Sequence, residues 1–270
     1  MSELKLEVVN QSGPQYTQHH IKALDQDIAR YCFIPGDHIR GRKIAERLDK
    51  VRQVSATRGM FVFTGFYSGV EMTVCSTGMG GPQVAIAMEE LGRMGADTFI
   101  RVGSAGGFQD NIGVGDIAIA TATYRDGGTS YKYLPGPFPA AADFFVTHAL
   151  YDVAREKDAQ IHIGVVTAGD AFYAPKDPVQ HKLLADAGVI CGEMESDTEF
   201  IVGHYRHFRC GALFVMDGGP KSKEIRSKGN VSLTIANHAA DPDFLRGEDL
   251  IVEIALEAMK RIADQDRMGK

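Results

Sequence analysis

Apolar residues along this chain alternate between two spacings: short continuous or every-other-residue runs, and stretches in which they recur three or four apart. The first is the period of a buried strand and the second that of an amphipathic helix. The run YCFIP (31–35) predicts a strand that breaks at Pro35-Gly36-Asp37, and HIRGRKIAERLD after it has helical spacing. Three alternating segments follow near 51–57, 60–66 and 70–76, the last two joined by a hairpin-like Tyr67-Ser68-Gly69 turn. After STGMGGP, the spacing of Val84, Ile86, Ala87, Met88 and Leu91 predicts a helix that Pro82 starts well and Gly92 weakens.

Strand 97–103 (DTFIRVG) then runs into Ser104-Ala105-Gly106-Gly107, and another strand starts at Asp116. Helix 143–157, strand 161–168, helices 178–187 and 197–206, strand 211–217 and a long amphipathic helix from about 248 to 264 complete the pattern. Such alternation predicts an α/β fold with a central mixed or largely parallel sheet flanked by helices, and ligands at the carboxyl ends of the strands. The stretch 218–246 has no strong period and reads as a long mobile loop.

Composition narrows the picture. Of 270 residues, 44% are hydrophobic and 24% charged, with no Pro/Ser-rich linker and no internal repeat, so a single domain over 1–270 is expected, with 1–18 as a disordered tail. A net charge of -6 argues against a broad nucleic-acid surface, so an anionic ligand must be held locally. Neither a signal-like start nor an apolar run of membrane-spanning length is present, and a cytoplasmic protein without membrane contact is expected. Cys32, Cys75, Cys191 and Cys210 lie far apart with no CxxC pair, which predicts reduced core thiols and no metal site.

Three strand ends carry glycine turns: Pro35-Gly36-Asp37, Thr77-Gly78-Met79-Gly80-Gly81 and Gly103-Ser104-Ala105-Gly106-Gly107. Glycines there let successive backbone N–H groups converge on an anion beside a helix N-terminus. Arg40 follows Gly36 by one helical turn, and Arg101 interrupts an otherwise apolar strand. A guanidinium in such a strand needs a partner, which is either a bound phosphate or carboxylate or an internal salt bridge to Asp97, Asp116 or a glutamate. In CGEMESDTEF (191–200), Glu193 and Glu195 flank Met194 as the chain enters a helix. They can face one pocket only while the backbone is extended, and could there accept hydrogen bonds from a sugar diol or do acid–base work; the alternative is a solvated first helical turn.

Taken in order, FIPGDHIRGRKIAERLD, CSTGMGGPQVAIAMEEL, TFIRVGSAGGFQDNIGVGDIAIATA, GDAFYAP and GEMESDTEFIVG resemble the nucleoside phosphorylase family that contains uridine phosphorylases and hexameric-type purine nucleoside phosphorylases. The resemblance covers roughly residues 19 to 217. It implies a phosphate site of Gly36, Arg40, Arg101 and Ser104, with Arg58 reaching in from a neighbouring subunit. It implies ribose contacts from Met194 and Glu195 with Glu193 close by, from Phe172, which stacks on ribose and base, and from His20, or less well His19, across the interface. Inorganic phosphate would be the co-substrate, with no organic cofactor, and the active chain would be a dimer-based homo-oligomer, hexameric in the family, with shared sites.

At the base end the chain departs from the uridine branch, which carries a glutamine and an arginine where Lys176 and Pro178 stand here. Asp217, in FVMDGGP, falls where the purine branch places the aspartic acid that protonates purine N7, although Asp-Gly is also a common turn. The resemblance therefore favours reversible phosphorolysis of a 6-oxopurine nucleoside, with catalytic roles for Asp217, Arg101 and Glu195, and uridine phosphorolysis as the alternative. Gly59 stands where uridine phosphorylases have a glutamate that helps bind a monovalent cation, so such a site is not expected. Retention of Arg40, Arg58, Arg101 and Glu195 argues against a hydrolytic nucleosidase and against a non-catalytic nucleoside-binding protein.

Overall fold

The structure, a computed structural model, describes residues 15–175, 177–220 and 241–269. Lys176, most of the 218–246 stretch and the first fourteen residues lie outside the described residues, and so do the expectations that fall on them. In chain order the elements are β1 (Tyr31–Phe33), α1 (His38–Ala45), β2 (Asp49–Thr57), β3 (Met60–Tyr67), β4 (Val70–Ser76), α2 (Gly81–Arg93), β5 (Thr98–Gly107), β6 (Val114–Asp126), α3 (Ser130–Tyr133), β7 (Ala140–Ala141), α4 (Phe144–Glu156), β8 (Ile161–Gly169), α5 (Pro178–Asp186), β9 (Cys191–Glu193), α6 (Ser196–Arg206), β10 (Arg209–Asp217) and α7 (Pro242–Arg267).

Alternation along β5 explains the layering. Phe99 belongs to one apolar cluster, with Val84, Met88 and Leu91 of α2 and Phe200 of α6. Ile100 and Val102 point the other way, into a cluster with Ile44 of α1, Leu150 of α4 and Ile251 and Met259 of α7. The sheet is thus covered on both faces, which is why its central strands read as near-continuous apolar runs. By the same period Arg101 shares the face of Phe99, toward α2 and α6. The four cysteines are buried and unpaired. Among the described residues no helix is long and apolar enough to cross a membrane.

The mixed sheet closes on itself. β5 runs parallel to β1 on one side and to β10 on the other. β10 pairs antiparallel with β6, β6 parallel with β8, β8 parallel with β9, and β9 returns antiparallel to Gly106 and Gly107 of β5. Those five strands form a ring, from which β1, β4, β3 and β2 extend as a tail. The Ser104–Gly107 run, expected to be a turn, is therefore the last part of β5, held extended by β9 and by Gly107 N, which donates to Gly218 O at 2.8 Å. A Cβ on Gly107 would come within 2.8 Å of that carbonyl.

Two boundaries differ further from the sequence pattern: α7 starts at Pro242, with Asp241 capping it, so 242–246 are helix rather than the loop expected there, and α1 stops short. α1 ends at Ala45 because Arg47 N and Leu48 N turn back onto Ile44 O and Ala45 O before β2 begins at Asp49; Leu48 keeps the helical spacing only because the turn buries it. Gly92, which weakens α2 in isolation, lies under the Phe208 ring, where a Cβ would meet Cζ at 2.3 Å.

Helix α6 is buried over Ser196–Gly203, its charged first turn included. Burial pushes the Asp197 carboxyl up to about 6 against an ordinary 3.8, with Ser130 and Thr198 partly offsetting it. Between those two values the folded chain holds the proton more tightly than the unfolded chain, so stability falls as pH rises through that window and stays lowered above it. Asp197→Asn is expected to exceed the wild type by up to about 3 kcal/mol above pH ~7 and to lose that advantage below pH ~4. Denaturant unfolding at the two pH values measures the difference, and an equal difference at both would contradict it.

Candidate active site

Arg101 is 4% exposed, and its charge is met from the β9–α6 junction. Nε donates to Glu193 Oε2 at 2.8 Å, and Nη2 donates to Glu195 Oε2. The guanidinium also lies 5.8 Å from the Phe214 ring centroid. Both carboxylates reach one guanidinium because the chain is still extended there: β9 ends at Glu193, and Glu195, with φ -141°, only begins α6. The expected geometry therefore holds, and the solvated first turn does not, since Glu195 is 3% exposed. Burial opposes the charge on Arg101, but Glu195, Glu193 and Glu199 outweigh it and raise its pKa. Asp97 and Asp116, the other partners considered, are engaged elsewhere, Asp97 with Arg30 and Asp116 with His162.

Glu193 also accepts from the backbone N–H groups of Glu195 and Ser196 and from Ser196 Oγ, which fixes its carboxylate. The second oxygen of Glu195 accepts from Gly80 N at the head of α2. The glycine turn 77–81 thus does bind an anion, and that anion is the protein's own carboxylate. Gly78 and Gly80 have φ of +76° and +94°, a backbone suited to glycine.

The remaining guanidinium nitrogen, Nη1 of Arg101, is buried without a hydrogen-bond partner. It faces the first glycine turn: a Cβ on Gly36 would lie 3.7 Å from Nη1 and 2.9 Å from Gly78 O. Arg40 stands in the first turn of α1, just after that glycine turn; Nε donates to Glu248 Oε1 at 3.1 Å and Nη1 to Val102 O at 3.4 Å. Glu248 is shared with Lys43. Burial lowers the pKa of Arg40, and the like charge of Arg101 adds to the lowering against Glu248 and Asp37. Ser104 is exposed and, by the strand period, lies on the α1 side of β5.

Met194 is half-buried between the two glutamates, whereas Phe172 is 59% exposed on the loop after β8, its ring edge-on to Tyr173. Asp217 ends β10, five positions beyond Ala212, the partner of Arg101 in the parallel ladder. It lies close to Cys191 of β9, so one strand pair carries Arg101 near its middle and Asp217 at its carboxyl end.

His20 and Arg58 are not brought to Arg101 within one chain. His20 Nδ1 is 2.7 Å from Glu90 Oε1, and the N–H groups of His20 and Ile21 donate to the same carboxylate. Burial works against the charge of Glu90, but those donors hold its pKa below the ordinary value. Glu90 is nine residues along α2 from Gly81, about 14 Å. Arg58 is exposed at the tip of the β2–β3 hairpin, where it and Gly59 have φ of +52° and +78°. Thr57 Oγ1, next to it, donates to His20 O, so the two residues expected to serve a neighbouring subunit share one corner.

The sequence pattern did not single out Glu90, Glu248, Asp197 or Glu199, each of which is buried. Glu90 and Glu248 in fact share helix faces with apolar residues one turn away, Ala87 and Met94 for the first and Ile251 and Val252 for the second, and that placement is the signal that could have found them. Asp197 and Glu199 open a helix that turns apolar at Phe200, Ile201 and Val202, and that position is their only mark in the sequence.

A family model described as the phosphorylase superfamily matches residues 30–241. A uridine phosphorylase of Thermococcus kodakarensis is 36% identical over 269 residues, covering 94% of this chain and 91% of that protein. A guanosine phosphorylase of Halorubrum lacusprofundi is 35% identical over 201 residues, covering 74% and 83%. A crystal structure of uridine phosphorylase from Vibrio fischeri superposes with a TM-score of 0.82 at 29% identity, covering 92% of this chain and 99% of that one. With a family model spanning most of its length and relatives matched nearly end to end, this chain belongs to the phosphorylase superfamily, as a nucleoside phosphorylase.

Proposed function

We propose that inorganic phosphate, as co-substrate and without an organic cofactor, binds between the Gly36 turn, Arg40, Ser104 and Nη1 of Arg101, completed by Arg58 of a neighbouring subunit. The observation that carries this is the buried, unpartnered Nη1 beside a glycine turn that a side chain would block. A buried N–H donor left unmade is costly, and a phosphate oxygen is the strongest kind of acceptor for it. In this reading Glu195 and Met194 hold the ribose, Glu193 keeps Arg101 and Glu195 in register, Phe172 closes on ribose and base, and His20 approaches the 5′-hydroxyl of the adjoining subunit's substrate.

As the ribosyl–base bond stretches, C1′ gains positive charge, which the adjacent phosphate dianion stabilises and then captures. The C–N bond breaks, a C–O bond forms, and the departing base takes the electron pair. Asp217 supplies the proton at N7 of a 6-oxopurine, so the products are free base and ribose 1-phosphate. The arginines and Glu195 act by positioning, which converts the encounter of two substrates into a step within one complex. Uridine is the competing substrate. Curated relatives named uridine phosphorylase favour it at least as well, while Asp217 and Pro178 favour the purine.

Arg101→Gln is expected to raise the KM for phosphate roughly 10- to 100-fold, the equivalent of one or two charge-assisted hydrogen bonds, with the melting temperature confirming a folded protein. Unchanged phosphate dependence would remove Arg101 from the site. Asp217→Asn is expected to cut inosine turnover by roughly 10²–10⁴ while leaving the phosphate KM near its wild-type value. Rates on inosine, guanosine, adenosine, uridine and thymidine decide the base, and uridine leading the panel would overturn the purine reading. Mixing Arg58→Ala with Glu195→Ala chains, each inactive alone, should restore roughly a quarter of wild-type activity if sites are shared in a homo-oligomer; no recovery after confirmed subunit exchange would refute sharing.

A further inference from the structure

Glu199 is fully buried, and neither of its carboxyl oxygens has a hydrogen-bond partner. It follows Glu195 by one turn of α6, its N–H donating to Glu195 O at 3.0 Å, so the two side chains leave the helix on the same face. That face meets Arg101, whose backbone N–H the Glu199 carboxyl approaches without hydrogen-bond geometry. The charged and titratable groups against it are Arg101 from β5, Glu193 from β9, Glu195 from the head of α6, and the Cys210 thiol from β10. Burial keeps that thiol neutral, pushing its pKa well up, with Glu199 and Asp143 adding to the effect.

Arg101 is thus the cation available to Glu199 among the described residues, and its Nε and Nη2 already serve Glu193 and Glu195. An ionised carboxylate buried without a donor is strongly disfavoured, whereas a protonated one is merely a polar group lacking a bond. Glu195 is also held above the ordinary carboxylate range, by burial first, with Arg101 pulling the other way and Glu193 adding to the rise. A charge on Glu199 would add to the acidic side of this cluster, beside the position assigned to a dianion.

We propose that Glu199 is a positioning residue for phosphate: as a neutral acid it leaves Nη1 of Arg101 to the phosphate, and as an anion it draws the guanidinium to itself and repels the dianion. This rests on reading Arg101 as a phosphate ligand. Burial first, and then Glu193 and Glu195, hold the Glu199 carboxyl well above the ordinary carboxylate range, with Arg101 pulling partly the other way. The acid is therefore neutral below that raised value and ionises as pH rises through it, so the loss of phosphate affinity belongs to the alkaline limb.

The test is the KM for inorganic phosphate, expressed per dianion, from neutral to alkaline pH at saturating nucleoside, in the wild type and in Glu199→Gln. The wild-type KM should climb by about tenfold for each pH unit once the acid ionises, as linkage requires. The neutral amide should reproduce the low KM of the protonated acid and stay flat within about twofold. Superimposed profiles, or a flat wild-type profile, overturn the proposal. Should the amide variant fail to fold, infrared spectra of the wild-type protein replace it: the band of a neutral carboxyl must fade over the pH range in which KM climbs, and a band that fades elsewhere, or none, overturns it. Arg101→Gln separates the two levels. If that change leaves phosphate KM unaltered, the site reading fails; if it raises KM while Glu199→Gln tracks the wild type, only the role of Glu199 falls.

Discussion

A guanidinium placed in the middle of an apolar strand imposes conditions on everything near it. Arg101 cannot stay charged in the layer that holds Phe99 and Phe214 unless carboxylates are delivered to it with the right spacing. The chain meets that demand by ending β9 at Glu193 and delaying the first turn of α6 until after Glu195. Two carboxylates at alternate positions of an extended backbone then converge on one fork of donors. The rest of the local architecture follows: β9 is bound to β5 at Gly106 and Gly107, which closes the five-strand ring, and α6 is left buried along most of its length.

Small residues are the counterpart of that large cation. Gly103 lies under the Phe214 ring and beside Nη2 of Arg101, Gly36 lies against Gly78 O, and Gly81 lies against Thr198 Oγ1 of α6. At each of these a Cβ would collide with that neighbour. The three glycine runs, far apart in the chain, thus converge on one volume. The first faces the open Nη1 of Arg101, the second grips Glu195, and the third lies beside Nη2.

Much of this was legible in the sequence because it follows from short-range rules. Strand and helix periods located most elements, an arginine inside DTFIRVG demanded a partner, and the Glu-Met-Glu alternation required an extended backbone to be useful. What periodicity missed depended on contacts between distant segments. Ser104–Gly107 reads as a turn until β9 is seen to pair with it, and Leu48 reads as helix until the chain reverses beneath it. The identity of the carboxylates that neutralise Arg101 and Arg40 was equally hidden, since Glu193, Glu195 and Glu248 are up to 208 positions away from the arginines they bind. The proposed base contacts are less constrained than the proposed phosphate contacts for the same reason: Phe172 is on an exposed loop, and the described chain follows Asp217 only as far as Pro220.

Helix α2 has anion contacts at both of its ends. The N–H of its N-cap residue, Gly80, donates to the carboxylate of Glu195, and in its last turns the carboxylate of Glu90 collects the backbone and ring of His20, beside the hairpin that carries Arg58. The helix is consequently a ruler, about 14 Å between those two contacts, that sets how far the cluster around Arg101 stands from the corner bearing His20. Its length is quantised: one residue more between Gly81 and Glu90 would turn the second carboxylate by about 100° and lengthen the span by about 1.5 Å. Drift in the composition of α2 can leave that spacing intact, whereas drift in its length cannot.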